Sequence, residues 1–179
     1  MSSLIDKNYF ELFELPVSFE TDLTVLRDRF RELQRATHPD RFAGASSQER
    51  RMAMQLTTRV NEAYQVLSDP VSRARYLLEL AGVQWGDDQH TVNDTAFLMA
   101  QMELREELDE LKAHGFDEAA LAGFRQRVQE QVDEITATLA EQLGSTAPET
   151  LQQARHEVSK LQFFSRLQQQ VDELEESLF

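Results

Sequence analysis

The chain has 179 residues, a formal charge of −14, 41% hydrophobic residues and no cysteine. That is enough apolar material for a real core in one domain or two small ones. The missing cysteines exclude disulfides, thiolate zinc sites, cysteine nucleophiles and protein-ligated iron–sulfur clusters, and the acidic balance argues against nucleic acid as a partner, because such binding rests on Lys and Arg neutralising phosphates.

Gly and Pro are scarce, 6 and 4 residues, and apolar residues recur with the helical period almost throughout, so the expected class is all-α. A short first helix holds Tyr9, Phe10, Leu12 and Phe13 and ends before Pro16, since proline pushes the preceding residue out of helical conformation. A second runs from about Asp22 to Thr37 with Leu26, Phe30, Leu33 and Thr37 on its core side. From His38 to Ala45 the helical stripe is lost, and a loop is predicted. Ser46 and Glu49 then form a capping box opening a third helix to about Leu67, with Leu56, Val60, Ala63 and Leu67 facing the core and Tyr64 beside them. Asp69-Pro70 caps a short fourth helix that runs through Arg73, Tyr76 and Leu77 to Leu80, where Gly82 ends it.

From Val83 to Val92 the period disappears, which marks a linker or elbow. Three longer helices follow at roughly 94 to 113, 117 to 143 and 148 to 178, separated by His114-Gly115 and by Gly144 to Ala147. Connections this short make neighbours antiparallel, so a C-terminal three-helix bundle is expected. The division is 1–82 for the first domain, 83–93 for the elbow and 94–179 for the bundle. Residues 1–80 carry 11 Lys and Arg against 12 Asp and Glu, and residues 81–179 carry 7 against 20. Two surfaces of such different charge suit two partners, although solubility alone also explains the contrast. Met1 to Asp6 has no basic segment followed by an apolar run, and no stretch approaches the roughly 18 apolar residues that span a bilayer. A cytoplasmic protein without a membrane partner is expected.

On the second helix Arg27, Arg31 and Arg35 recur every four residues, and His38 continues the line. Counted as helix, the four directions fall within about 80°. Pairing with Asp28 or Glu32 would explain such a ridge without function. The turn that follows, His38-Pro39-Asp40, is stiffened by proline, so two polar side chains are presented together. A general-base reading of His38 oriented by Asp40 lacks a nucleophile and oxyanion donors nearby. No catalytic residue is therefore expected, and no metal or cofactor, because the histidines and carboxylates show no ligand spacing.

In the bundle, Phe97, Leu104, Leu108 and Leu111 form a core stripe within about 60°. Leu98, Met99 and Met102 point about 110° to 150° away from it, and Glu103, Glu106 and Glu110 extend that second side. An apolar patch running into an acidic one marks a partner surface, although packing against the first domain or the third bundle helix would also account for it. Phe163 points nearly opposite the stripe of Ala154, Val158, Leu161 and Phe164. Either its helix is covered on both sides or it is an aromatic anchor for a partner.

Residues 7 to 80 resemble a J domain. The resemblance rests on His38-Pro39-Asp40 between two helices, the basic face before it, and Asn61-Glu62-Ala63-Tyr64-Gln65-Val66-Leu67 with Asp69-Pro70, Arg73 and Tyr76 after it. It implies an N-terminal antiparallel helical hairpin with short flanking helices. It also implies that His38, Pro39 and Asp40 engage a DnaK-type chaperone with support from Arg27, Arg31 and Arg35, and that ATP is hydrolysed by that partner and not by this chain. Arg41 stands where many members carry lysine, with charge preserved. Residues 90 to 111, from His90-Thr91-Val92 through Phe97-Leu98-Met99 to Leu104-Arg105-Glu106-Glu107-Leu108-Asp109-Glu110, resemble the HscB-type co-chaperones of iron–sulfur cluster assembly. This implies that Leu98, Met99, Met102, Glu103, Glu106, Glu110 and Phe163 bind a scaffold protein of the IscU type and present it to a chaperone of the HscA type. Met102 replaces a leucine of some relatives at conserved volume. Absent paired cysteines and targeting sequence, a bacterial-type member fits best. The rival expectation is a general J protein for misfolded clients, and self-association through Leu98 and Met99 stays open.

Overall fold

The structure is a computed structural model that describes Leu4 and residues 6–83, 95–113 and 118–176. Among the described residues there are seven α-helices, one 3-10 turn and no strand, which is the all-α class expected. The chain packs as two units, Met1–Ala81 and Gly82–Phe179. The expected elbow lies outside the described residues apart from Val83, as does the expected break at His114-Gly115.

The first unit holds α1 (Tyr9–Leu12), α2 (Leu23–Thr37), α3 (Ser47–Ser68) and α4 (Pro70–Leu80). A helix as short as α1 is unstable alone. It is held by a capping box between Asn8 and Glu11 and by burial of Phe10, Leu12 and Phe13. Tyr9 stacks on Tyr76 of α4 with centroids 4.5 Å apart, and its backbone N–H donates to the Tyr76 hydroxyl at 3.0 Å. Burial pushes the Tyr76 phenol above its ordinary pKa. The helix stops at Leu12, earlier than Pro16 suggested, because Glu14 adopts a left-handed φ of 54° and the Leu15 N–H turns back to the Phe10 carbonyl at 2.9 Å.

Helices α2 and α3 form the hairpin that carries the unit. Asp22 starts α2 by accepting from the N–H groups of Thr24 and Val25 at 2.8 and 3.1 Å. On the expected core side, Leu26 and Thr37 are buried and Phe30 and Leu33 half-buried. The α3 box forms as predicted: Ser46 Oγ accepts from the Glu49 N–H at 3.3 Å and the Glu49 carboxylate accepts from the Ser46 N–H at 2.9 Å. The Ser46 hydroxyl also donates to that carboxylate at 2.8 Å, and this bond foremost, with the one from the Ser46 N–H, holds the Glu49 carboxyl below its ordinary pKa. Leu56, Val60, Ala63 and Leu67 are all buried. Each contributes roughly 1.5–3 kcal/mol if Val- or Leu-sized, which is why an extended hairpin of two helices is sufficient scaffolding for a loop. Phe30 stacks on Tyr64 across it at 4.0 Å.

Arg73 of α4 is the one buried cation among the described residues. Its Nε donates to the Phe19 carbonyl at 2.9 Å and its Nη1 to the Leu67 carbonyl at 2.6 Å, while the guanidinium lies over the Phe19 ring at 5.1 Å. Burial pulls its pKa down and the Asp69 carboxylate opposes that. The residue clamps the end of α3 to the segment before α2. Asp69 caps α4 through the Ser72 N–H at 2.7 Å, and Gly82 follows that helix at a φ of 79°.

The second unit holds α5 (Thr95–Ala113), α6 (Glu118–Gln142) and α7 (Pro148–Glu176). Helices α6 and α7, joined by a short turn, are the principal pair. Leu121, Phe124, Val128, Ile135 and Leu139 on α6 are buried, as are seven residues on α7 from Leu151 to Val171. Helix α5 lies shallower. Of its expected stripe only Leu108 is fully buried, and Phe97, Leu104 and Leu111 are half-buried. Glu107 of α5 pairs with Arg127 of α6, and Arg125 of α6 with Asp172 and Glu175 of α7.

Candidate functional site

The first candidate site is the turn between α2 and α3. Helix α2 ends at Thr37, and His38 leaves helical geometry at φ −54° and ψ 129°, so it does not continue the arginine line as a helical residue would. What the sequence suggested was plain loop begins as a 3-10 turn, Pro39–Phe42, with proline at its first position. His38 Nδ1 accepts from the Asp40 backbone N–H at 3.3 Å and lies 3.6 Å from the Asp40 carboxylate. One nitrogen cannot accept in the first contact and donate in the second. The neutral imidazole protonated on Nε2 makes the backbone bond and leaves Nε2–H as an outward donor.

The turn is tied down from both helices. The Arg41 guanidinium donates to the Arg35 carbonyl at 3.4 Å, and the Thr57 hydroxyl reaches the Thr37 carbonyl at 3.0 Å. Thr37 itself is buried, its hydroxyl on the Leu33 carbonyl at 2.9 Å. The His38 and Asp40 side chains remain 60% and 92% exposed. Beside them Arg27, Arg31 and Arg35 are exposed, and among the described residues none forms an ion pair. The expected partner Glu32 is taken by Arg29, at 3.4 Å, and Arg29 also reaches Glu14. Arg35 instead donates from Nε to the Arg31 carbonyl at 3.2 Å. The arrangement can hold an acidic surface and present an imidazole donor and a carboxylate acceptor in fixed register.

The second candidate site is on α5. Leu98, Met99 and Met102 are 43%, 59% and 62% exposed, so they are not core, and Glu103, Glu106 and Glu110 are exposed beside them. Phe163 of α7 is placed differently from the simple picture of an outward anchor. It is half-buried, edge-on to Phe97 at 5.8 Å and to Phe164 at 5.2 Å, with the Arg105 guanidinium over its ring at 5.5 Å. The cluster holds Phe163 at the α5–α7 seam. Arg105 was not singled out in the sequence, where it reads as one charge among many; its signal is its position between the core stripe and the apolar patch. Among the described residues no group of His, Asp and Glu could hold a metal ion, and no helix is long and apolar enough to cross a membrane.

A helical hairpin closed by a His-Pro-Asp turn and flanked by a basic helix face defines a J-domain protein, and residues 8–76 match the DnaJ domain family model. Residues 93–172 match a second model, described as the HSCB C-terminal oligomerisation domain. The chain is 46% identical over 172 residues to the co-chaperone protein HscB homolog of Shewanella loihica, covering 96% of this chain and 99% of that one. It is 45% identical over 173 residues to the homolog of Vibrio vulnificus, with the same coverage. Among solved structures, the chaperone HscB of Vibrio cholerae matches with a TM-score of 0.85 at 42% identity, covering 97% of this chain and 100% of that chain. Human co-chaperone HscB matches with a TM-score of 0.80 at 29% identity, covering 95% and 83%. The chain belongs to the HscB family, the J-domain co-chaperones of iron–sulfur cluster assembly.

Proposed function

We propose that the chain bridges two proteins. The His38-Pro39-Asp40 turn, with Arg27, Arg31 and Arg35, engages a DnaK-type chaperone of the HscA type and stimulates its ATPase. Residues 94–179 hold a cluster scaffold of the IscU type on Leu98, Met99, Met102, Glu103, Glu106, Glu110 and Phe163. Joining both on one chain raises the scaffold's effective concentration at the chaperone. The reading places the J domain at 1–82 and the elbow at 83–93. It places the work in the cytoplasm of a bacterial-type cell, in keeping with the bacterial relatives.

The observation that carries this reading is the exposure of two sets of side chains that need a partner, one on each unit. His38 and Asp40, 60% and 92% exposed, suit contact with a macromolecule and not proton transfer in a dry pocket. ATP hydrolysis therefore belongs to the partner. Three unpaired arginines favour an acidic chaperone surface, and three exposed apolar side chains on one helix favour a folded client over solvent. The Asp40→Asn variant tests the first half: it should lose stimulation of the chaperone's ATPase in single-turnover assays while binding the scaffold with unchanged affinity. Stimulation at the wild-type level would remove the turn from the mechanism.

A further inference from the structure

The second unit is acidic, yet its cations are not spread evenly. A groove of about 660 Å³ runs along the α5–α7 seam, and Arg105, Lys112 and Arg166 all line it, with Phe163 and Leu108 in its wall. One carboxylate, Asp109, also lines it and is engaged by Lys112 at 3.5 Å. Elsewhere on the unit Arg125, Arg127 and Lys160 are neutralised by Asp172, Glu175, Glu107 and Glu157. Among the described residues Arg105 and Arg166 have no carboxylate partner; Arg105 rests on the Phe163 ring. In a chain with 32 acidic residues against 18 basic ones, two arginines left unpaired in one groove are poised for an anion from outside.

The order of side chains around α5 says where that anion comes from. At about 100° per residue, Leu108 faces the core, Gln101, Lys112 and Arg105 follow on the groove side, Leu98 and Met102 come next with the Lys112-paired Asp109 between them, and Met99, Glu103, Glu106 and Glu110 lie beyond. The apolar patch is thus flanked by cations on one side and carboxylates on the other. Phe163 stands in the groove wall, under the Arg105 guanidinium. We propose that the scaffold protein seated on Leu98, Met99 and Met102 also places one or two carboxylate side chains in this groove, received by Arg105 and Arg166. This rests on the α5 patch being the scaffold's seat. A surface charged oppositely on its two flanks accepts a partner in one orientation and repels the reversed one, so the groove would set the direction in which the scaffold is presented.

The test is calorimetric titration of the full chain with purified IscU-type scaffold at two salt concentrations. Arg166→Gln removes a charge while keeping the Arg105 guanidinium that lies over the Phe163 ring, and it should weaken binding about fivefold, as expected for one partly exposed charge pair. Arg105→Gln with Arg166→Gln should weaken it further and flatten the salt dependence, whereas Arg105→Lys with Arg166→Lys should keep both affinity and salt slope largely intact. Unchanged affinity and salt slope in the double Gln variant overturn the groove, and so does loss of a self-associated form by sedimentation with scaffold affinity unchanged, which would assign the groove to a second copy. The Leu98→Ala, Met99→Ala, Met102→Ala variant separates the two claims. If that variant binds normally, the seat itself is wrong; if it fails while the Gln variants bind normally, only the groove falls.

Discussion

Truncating Leu98, Met99 and Met102 together to alanine separates a binding surface from a core. Their exposures of 43%, 59% and 62% leave about 1.6 side chains' worth of apolar surface for a partner to cover, and at roughly 2 kcal/mol per side chain that is about 3 kcal/mol. Scaffold affinity should therefore fall on the order of a hundredfold. The fold should hardly notice, because substitutions away from buried groups cost about 0.5 kcal/mol each or less. Leu108→Ala supplies the contrast on the same helix: at 1% exposure it should cost about 2–5 kcal/mol of bundle stability. Titration calorimetry reads the first effect and thermal melting the second. A triple variant that melts as low as Leu108→Ala, or that binds the scaffold normally, refutes the reasoning.

Arg73→Ala should destabilise the first unit by about 2–4 kcal/mol, since it removes two buried hydrogen bonds and the packing over Phe19; near-ultraviolet dichroism of Tyr9, Tyr64 and Tyr76, which all lie in that unit, reports the transition. A loss of bundle signal instead would contradict the clamp. Glu49 has a folded pKa lowered by its bonds to Ser46, so its capping contribution is complete above the ordinary value of 4.5 and is lost as pH falls through the folded value. Hydrogen exchange in the first turn of α3 should accelerate over that acid range beyond the intrinsic pH effect, and Glu49→Gln should remove the excess.

Much of this was legible in the sequence because helices announce themselves by period and by caps. Ser46 with Glu49, Asp69 with Pro70, and the Leu56–Val60–Ala63–Leu67 stripe all stand where spacing put them. The angle put Leu98, Met99 and Met102 off the core stripe, and their exposure decides between a free patch and packing. What spacing could not show was tertiary. The 3-10 turn at Pro39–Phe42 depends on a bond from the Asp40 N–H to His38 Nδ1, and the helical count that aligned His38 with the arginines fails once α2 ends. Phe163 pointed away from its own helix's stripe, but its neighbours Phe97 and Arg105 come from α5 and no pattern within α7 could name them. Arg105 and Arg166 are 61 residues apart in sequence, so no local pattern could join them into one groove.

The central claim is that one chain couples a chaperone to a scaffold, and the most direct test is the chaperone's ATPase rate titrated with this chain in the presence and absence of the scaffold. Wild type should reach half-maximal stimulation at a lower chain concentration when scaffold is present, the patch variant should stimulate equally with and without it, and Asp40→Asn should stimulate in neither case. Scaffold-dependent gain that survives loss of the Leu98, Met99 and Met102 side chains would contradict the account.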